Sequence, residues 1–407
     1  MENAVIVPAK LAGRLTVPPS KSMAHRLLIC AALANGKSLV ENVDLSQDIS
    51  ATVSAMRALG SYMEQRGNGF ICSGASIERE QKEVTIDCCE SGSTLRFLIP
   101  IALAFGGKFR FCGRGRLLSR PLEPYYEICR REGISYRQET DAVTFCGKLN
   151  GGEYRMAGNV SSQFVSGLLF ALPLMETDSC IVMTTPPESV GYIDLTLSAL
   201  AQFGIAVENR GYREFFVRGR QSYCPHNCFV EGDYSQAAFY LVANALGSNV
   251  LPEGLLSESQ QGDRAILDII RRMGSPLCAL QQIDVCQIPD LVPILAVLAT
   301  QAEGETRLIN AQRLRMKESD RLHTTAMELN KMGADVTELP DALIIRGRTP
   351  LHGAVCSAHN DHRIAMAIAI AATVADGEVT VCGADCVKKS YGNFWRDYVA
   401  LGGEIHG

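Results

Sequence analysis

Six amphipathic segments in this 407-residue chain end on a glycine, and the glycines are almost evenly spaced. The segments are "DISATVSAMRALG", "PLEPYYEICRREG", "YIDLTLSALAQFG", "DRAILDIIRRMG", "RLHTTAMELNKMG" and "NFWRDYVALGG". They close at Gly60, Gly133, Gly204, Gly274, Gly333 and Gly402, at intervals of 73, 71, 70, 59 and 69. Each glycine predicts a left-handed helix C-cap, a conformation that is costly for a residue carrying a Cβ. A second series of nearly all-apolar segments opens near Ser20, Ser93, Ser162, Asp233, Asp290 and Asp361, each a capping residue type. Its intervals are 73, 69, 71, 57 and 71, so both series contract at the same step. Two independent markers that shorten together define one unit repeated six times.

Each unit holds an all-apolar helix, an amphipathic helix and β-like runs such as "VTIDC", "CIVMTT", "FFVRG" and "ALIIRG". A helix that is apolar all round needs burial on every side. Six such helices divide into two bundles of three more naturally than they form one bundle of six. The period exceeds the ~20 to 50 residues of solenoid repeats, so closed domains are expected. The reading is an α/β protein of two pseudo-threefold domains with a cleft between them, and the length agrees with two or three domains of ~150 residues.

The chain carries a net charge of −5, which disfavours a nucleic-acid partner and makes any cationic site local. The most apolar run, "IPDLVPILAVLAT", is short and broken by Asp290 and Pro293, so no membrane span is expected. The N-terminus lacks the basic start and long apolar core of a signal peptide, and the default expectation is a cytoplasmic protein. The fifteen cysteines are scattered through apolar runs, which suggests buried thiols rather than a disulfide framework. The pairs Cys224/Cys228 and Cys382/Cys386 lack zinc-site spacing, and no metal is expected.

The openings of the apolar helices are the polar part of each unit: "SKSMAHR", "ESGSTLR", "SSQ", "EGDYSQ", "IPD" and "NDHR". A helix N-terminus presents unpaired N–H groups and roughly half a positive charge, so it suits a phosphate or a carboxylate. Gly92 allows a ligand close to the backbone, and Ser22 and Arg26 share one helix face. Lys21, Arg26, Arg96, Arg120, Lys317, Arg321, Arg363 and Lys389 make eight cations in short motifs of an acidic chain. They point to a ligand with several negative charges. Asp290, Glu318 and Asp361 lie among them and supply candidates for general base and general acid. Taken singly, Ser20, Ser162 and Asp233 read as ordinary caps, Arg96 as a surface arginine, and "KESDR" as a solvated run. Joint occurrence at six related positions favours the ligand site, and His25 reads as structural. The chemistry described is a transferase or lyase acting on phosphorylated, carboxylated small molecules.

The motifs "PPSKSMAHR", "SGSTLR", "SRPLEP", "SSQF", "EGDYSQAAF", "QGD", "IPD", "RMKESDRL", "NDHRIAMA" and "KKSYGNF" closely resemble, in order, the 5-enolpyruvylshikimate-3-phosphate synthase family of enolpyruvyl transferases. The resemblance implies a two-domain inside-out α/β barrel, each domain built from three βαβαββ units around buried helices. It places residues 1–18 with 228–407 in one domain and 19–227 in the other, with hinge crossings near 18 and 228. The implied reaction moves the enolpyruvyl group of phosphoenolpyruvate to the 5-hydroxyl of shikimate 3-phosphate by addition and elimination, without cofactor, in a monomer. Carried over, Lys21, Gly92, Arg120, Gln163, Arg321, Arg363 and Lys389 would hold phosphoenolpyruvate. Lys21, Ser22, Arg26, Ser161, Ser162, Gln163, Ser189, Asp290 and Lys317 would hold shikimate 3-phosphate. Asp290 would orient or deprotonate the hydroxyl, and Glu318, assisted by Lys21, would protonate the methylene carbon. Tyr192 fits the substrate loop.

Three positions depart from the family pattern: Glu90 where Asn is usual, Ser93 where Thr is common, and Gly392 where Pro is usual. The sister transferase acting on UDP-N-acetylglucosamine carries a reactive cysteine five residues before the arginine matching Arg120. Gly115 stands there instead, which argues against that rival.

Overall fold

The computed structural model describes residues 2–74 and 83–406. The chain forms two compact units, one of Met1–Pro18 with Gly232–Gly407 and one of Pro19–Glu231. Each unit contains three helix pairs. In the Pro19–Glu231 unit these are α1 (Lys21–Leu33) with α2 (Gln47–Ala58), α3 (Gly92–Phe105) with α4 (Glu123–Glu132), and α5 (Ser162–Ala171) with α6 (Val190–Gln202). In the other unit they are α7 (Tyr234–Ala245) with α8 (Ala265–Met273), α9 (Val292–Thr300) with α10 (Arg321–Lys331), and α11 (His362–Ala372) with α12 (Phe394–Ala400).

The first helix of each pair is the apolar one, and it is buried along nearly its whole length. Helices α7, α9 and α11 pack on one another around one core. In the Pro19–Glu231 unit α1, α3 and α5 meet at Phe97, which takes His25 edge-on from one side and Phe170 from the other. Helices therefore fill the inside of each unit, while the strands alternate buried and exposed residues in the manner of sheets with one wet face. The six glycines after the second helices all have positive φ, from 68° to 92°; Gly133 is a left-handed C-cap, whereas Gly274, with ψ of −169°, leaves the helix in an extended conformation open to glycine.

Capping sets where the buried helices begin. Side-chain oxygens of Ser20, Ser91, Ser161, Asp233 and Asp361 accept the orphan N–H groups of α1, α3, α5, α7 and α11. Two expected starts are corrected: Ser91, not Ser93, caps α3, and Ser161, not Ser162, caps α5. Asp290 is no cap at all. It sits in a 3₁₀ turn, Pro289–Leu291, ahead of α9, whose start rests on Pro293 and has no side-chain cap. The carboxylate is thereby released for other partners.

Among the described residues, five of the six sheets share one order: an edge strand, a central strand parallel to it, and an antiparallel pair on the far side, which is a hairpin in four and joins Asn3–Val7 to Glu404–His406 in the fifth. In one of them Val84–Asp87 and Gly107–Cys112 run parallel, followed by Ala142–Gly147 and Ser135–Gln138. Two strands are exchanged between repeats. Ala12–Thr16 precedes α1 but pairs with Asn249–Glu253, which follows α7. Cys228–Phe229 precedes α7 but pairs with Ser38–Glu41, which follows α1. The sixth sheet has only those first two strands, because the chain passes from α8 to Gln282–Asp284 without a hairpin. That missing hairpin explains the intervals of 59 and 57 in the repeat.

Candidate active site

The polar helix starts gather into a cluster in each unit. In the Pro19–Glu231 unit, Gln163 opens α5 and reaches the start of α3. Its Oε1 accepts from Arg96 Nη1 (2.7 Å), and its Nε2 donates to Ser93 Oγ (3.0 Å). A Cβ on Gly92 would stand 3.0 Å from Arg120 Nη1 and 3.0 Å from Arg96 Nη1. The glycine thus leaves two guanidiniums and the α3 N-terminus around one small space, a ready cradle for an anion. Both arginines are buried. Arg96 was read singly as a surface arginine; its guanidinium instead lies over the Phe164 ring. The Glu90 carboxylate lies against Gly115, where any Cβ would come within 2.8 Å of it.

Lys21 opens α1, and its Nζ donates to Asp48 Oδ2 (2.7 Å) in the first turn of α2. Four residues on, Arg26 is 2% exposed. It donates to Thr196 Oγ1 (2.8 Å), to the Tyr192 carbonyl (2.8 Å) and to the Ser22 carbonyl (2.6 Å), and it lies over the Phe97 ring. Burial lowers its pKa to about 10. Thr196 also bonds Ser166 of α5, so Arg26 ties three helices together. His25 shares a hydrogen bond with Thr52 Oγ1, which bonds Thr94 Oγ1, which donates to Ser91 Oγ. Burial first, then the charges of Lys21 and Arg26, hold the imidazole neutral. This is the structural role expected of His25. Ser189 stands at the start of α6 with φ of 56°, a left-handed conformation uncommon outside glycine and asparagine. Ser161 and Ser162 lie at the start of α5 beside Gln163.

In the other unit one guanidinium organises the cluster. Arg321 opens α10 and is 1% exposed. Its Nε donates to Asp361 Oδ2 (2.7 Å), Nη1 to Asp290 Oδ1 (2.9 Å), and Nη2 to Glu318 Oε2 (2.6 Å). Burial opposes the charge, but three carboxylates outweigh it and raise the arginine's pKa further. The second oxygen of Asp290 accepts from Arg363 Nη2 (2.8 Å), and Lys317 Nζ lies 3.4 Å from the first. Arg363 also donates to Ser235 Oγ (3.1 Å) of α7. Lys389 reaches the same region, where its Nζ donates to the Asn360 carbonyl (2.8 Å) just before α11. Asn360 and His359 both have positive φ, which turns that carbonyl toward the lysine. Desolvation lowers the Lys317 pKa, with Asp290 opposing.

The predicted residues of this unit therefore form one network: Asp290, Lys317, Glu318, Arg321 and Arg363, with Lys389 one carbonyl away. Sequence reasoning missed Asp48, which reads from sequence as a helix-dipole acid, and Ser235. A network of paired cations and carboxylates can bind anionic groups and move protons between fixed positions. All fifteen thiols are free, six of them buried. Among the described residues, no group of three His, Cys, Asp or Glu is placed to hold a metal, and no helix is long and apolar enough to cross a membrane.

Known proteins are similar to this chain in both sequence and fold. The profile of the family described as EPSP synthase (3-phosphoshikimate 1-carboxyvinyltransferase) matches residues 5–398. A 3-phosphoshikimate 1-carboxyvinyltransferase of Clostridium perfringens is 48% identical over 423 residues, covering 100% of both chains. One of Clostridioides difficile is 46% identical over 430 residues, covering 100% of this chain and 98% of its own. The solved EPSP synthase of Acinetobacter baumannii superposes with a TM-score of 0.81 at 26% identity, with full coverage of both chains. The enolpyruvyl transferase NikO of Streptomyces tendae shares the fold, with a TM-score of 0.79 at 18% identity over 100% of this chain and 98% of that one. With the profile spanning nearly every repeat and relatives near half identical from end to end, the chain belongs to the EPSP synthase family of enolpyruvyl transferases.

Proposed function

We propose that this enzyme transfers the enolpyruvyl group of phosphoenolpyruvate to the 5-hydroxyl of shikimate 3-phosphate, giving 5-enolpyruvylshikimate 3-phosphate and phosphate. The carrying observation is the Asp290–Arg321–Glu318 arrangement, in which one buried arginine fixes two carboxylates. In the addition step, Asp290 takes the hydroxyl proton as the oxygen bonds to C2 of phosphoenolpyruvate. Glu318, assisted by Lys21, delivers a proton to C3. In the elimination step, the Glu318 carboxylate takes a proton back from the new methyl group, the double bond re-forms as the C2–O bond to phosphate breaks, and the proton held by Asp290 leaves with the phosphate. The scheme asks for no metal or organic cofactor.

Lys21, Gly92, Arg120, Gln163, Arg321, Arg363 and Lys389 are assigned to phosphoenolpyruvate. Lys21, Ser22, Arg26, Ser161, Ser162, Gln163, Ser189, Asp290 and Lys317 are assigned to shikimate 3-phosphate. Two substrates that each carry a phosphate and a carboxylate account for so many cations in an acidic chain. The chain crossings near 18 and 228 are assigned as a hinge, and the protein is assigned as a cytoplasmic monomer in the route to chorismate and the aromatic amino acids.

The test measures phosphate released from phosphoenolpyruvate with shikimate 3-phosphate and, separately, with UDP-N-acetylglucosamine. Release with the first alone is expected, and release only with the nucleotide sugar overturns the reading. Glu318→Gln should lower turnover by about 10²- to 10⁴-fold while both substrates still bind, as loss of a general acid would.

A further inference from the structure

We propose that Asp361 is a positioning residue for the enolpyruvyl transfer, acting through Arg321; the inference rests on the function proposed above. Asp361 is fully buried, between α10 and the start of α11. Its two oxygens do four things. Oδ2 accepts from Arg321 Nε (2.7 Å) and from Ser319 Oγ (3.0 Å). Oδ1 accepts from the backbone N–H of Arg363 (3.0 Å) and, at longer range, from Arg321 Nη2 (3.3 Å). The carboxylate therefore meets Arg321 side-on, through Nε and Nη2, a geometry that fixes the plane of the guanidinium as well as its place.

The two terminal nitrogens of that guanidinium carry the chemistry. Nη1 holds Asp290 and Nη2 holds Glu318. Rotation of the guanidinium would move both carboxylates together. Asp361 is sealed from solvent, and both its oxygens are engaged by Arg321, Ser319 and the Arg363 backbone, so it acts on the chemistry through these groups. It also sets Arg363, whose backbone it caps and whose Nη2 holds the other oxygen of Asp290. One buried carboxylate thus fixes both arginines that clamp Asp290. A cap alone needs one oxygen, and serine or asparagine serves as well at such a position. The second oxygen is spent on Arg321 and Ser319.

Asp361→Asn tests the assignment because it preserves the shape and the Oδ1 cap while removing the second acceptor and the charge. The expected result is a drop in kcat of about a hundredfold, the scale of an ångström's misplacement of a catalytic group. The KM for shikimate 3-phosphate should stay within about threefold. The decisive readout is a double-mutant cycle with Arg321→Lys, which cannot make the side-on pair. If Asp361 acts through Arg321, Asp361→Asn costs little more once Arg321 is changed. Additive losses in the cycle, or a kcat within about threefold of the parent, overturn the proposal. Asp361→Ser, which keeps a capping oxygen, repeats the cycle if the asparagine variant does not fold. A parent enzyme without turnover on the two substrates defeats the functional reading and this inference with it. A parent that turns over while the cycle is additive defeats this inference alone.

Discussion

Lys21 Nζ lies 2.7 Å from Asp48 Oδ2, and both side chains are largely shielded from water. Lys21 is the first residue of α1 and Asp48 the second of α2, so one ion pair joins the starts of two helices. The carbonyl of Asp48 lies within 3.5 Å of Thr94 Oγ1 in α3, extending the link to a third. If Lys21 handles phosphoenolpyruvate, Asp48 decides where its ammonium waits. Asp48→Asn keeps the shape but exchanges a charged acceptor for a neutral amide. Loss of a hydrogen bond to a charged group is worth about 1.5–3 kcal/mol. Steady-state kinetics should show kcat/KM for phosphoenolpyruvate down by about 10- to 100-fold, and values within twofold of the parent would refute the role.

Arg26 carries a different prediction from the one its motif suggests. Its motif assigns it to the substrate, yet its guanidinium already spans Ser22, Tyr192 and Thr196 from beneath the surface. Arg26→Ala should therefore cost folding stability, by about 2–4 kcal/mol, because it removes three hydrogen bonds from a buried guanidinium and opens a gap over Phe97. Arg26→Lys should recover only part, since an ammonium cannot make the three-way fork. Urea unfolding reads both variants. A stability change below about 0.5 kcal/mol for the alanine variant would mean the arginine serves the ligand alone.

Much of the fold was legible because helix ends carry local chemistry. A positive φ after a helix strongly favours glycine, so Gly60 through Gly402 print the period directly, and all six have positive φ although Gly274 departs from the left-handed helical conformation. The carboxylate–arginine network was legible as residue types at helix starts, although the identity of the caps slipped at Ser91 and Ser161. Sheet pairing was not legible. Nothing in Ala12–Thr16 or Cys228–Phe229 announces that each pairs in a sheet of the other's repeat, because backbone hydrogen bonds are blind to side-chain identity. Asp48 was invisible for another reason. An acid in a helix's first turn complements the dipole wherever it occurs, so its partner Lys21 has no counterpart in the local pattern.

His25 gives stability a predictable pH dependence. Burial holds its folded pKa well below the ordinary value of about 6.5, whereas the unfolded imidazole takes a proton at that value. Below pH ~6.5 the unfolded state thus binds more protons than the folded one, and stability falls as pH falls. The slope from one such group approaches about 1.4 kcal/mol per pH unit. His25→Asn, which can still bond Thr52, should flatten the fall between pH 6.5 and 5. Equal slopes for parent and variant would show that some other group titrates there.

The sheet that lost its hairpin makes the last prediction. Asn249 N–H and Glu253 C=O face the parallel partner strand, so Val250 and Pro252 face the edge that an antiparallel strand covers in the other repeats. An open edge invites pairing with another chain. Here Asn244 of α7 closes it: its Oδ1 accepts the Val250 N–H (2.7 Å), and its Nδ2 donates to the Val250 carbonyl (2.6 Å). Pro252 offers no N–H at all. One carboxamide and one proline thus stand in for the absent strand. Asn330 meets both backbone groups of Val336 in the same way in the next repeat, on a strand that keeps its hairpin partner. Asn244→Ala should cost about 1–3 kcal/mol for the two backbone groups left unpaired. It should also raise self-association, read as concentration-dependent mass by light scattering. Asn330→Ala uncovers the edge of a strand that is likewise paired on one side only, so it should lose similar stability and also raise self-association. A parent-like mass for Asn244→Ala would show that Pro252 alone blocks the edge.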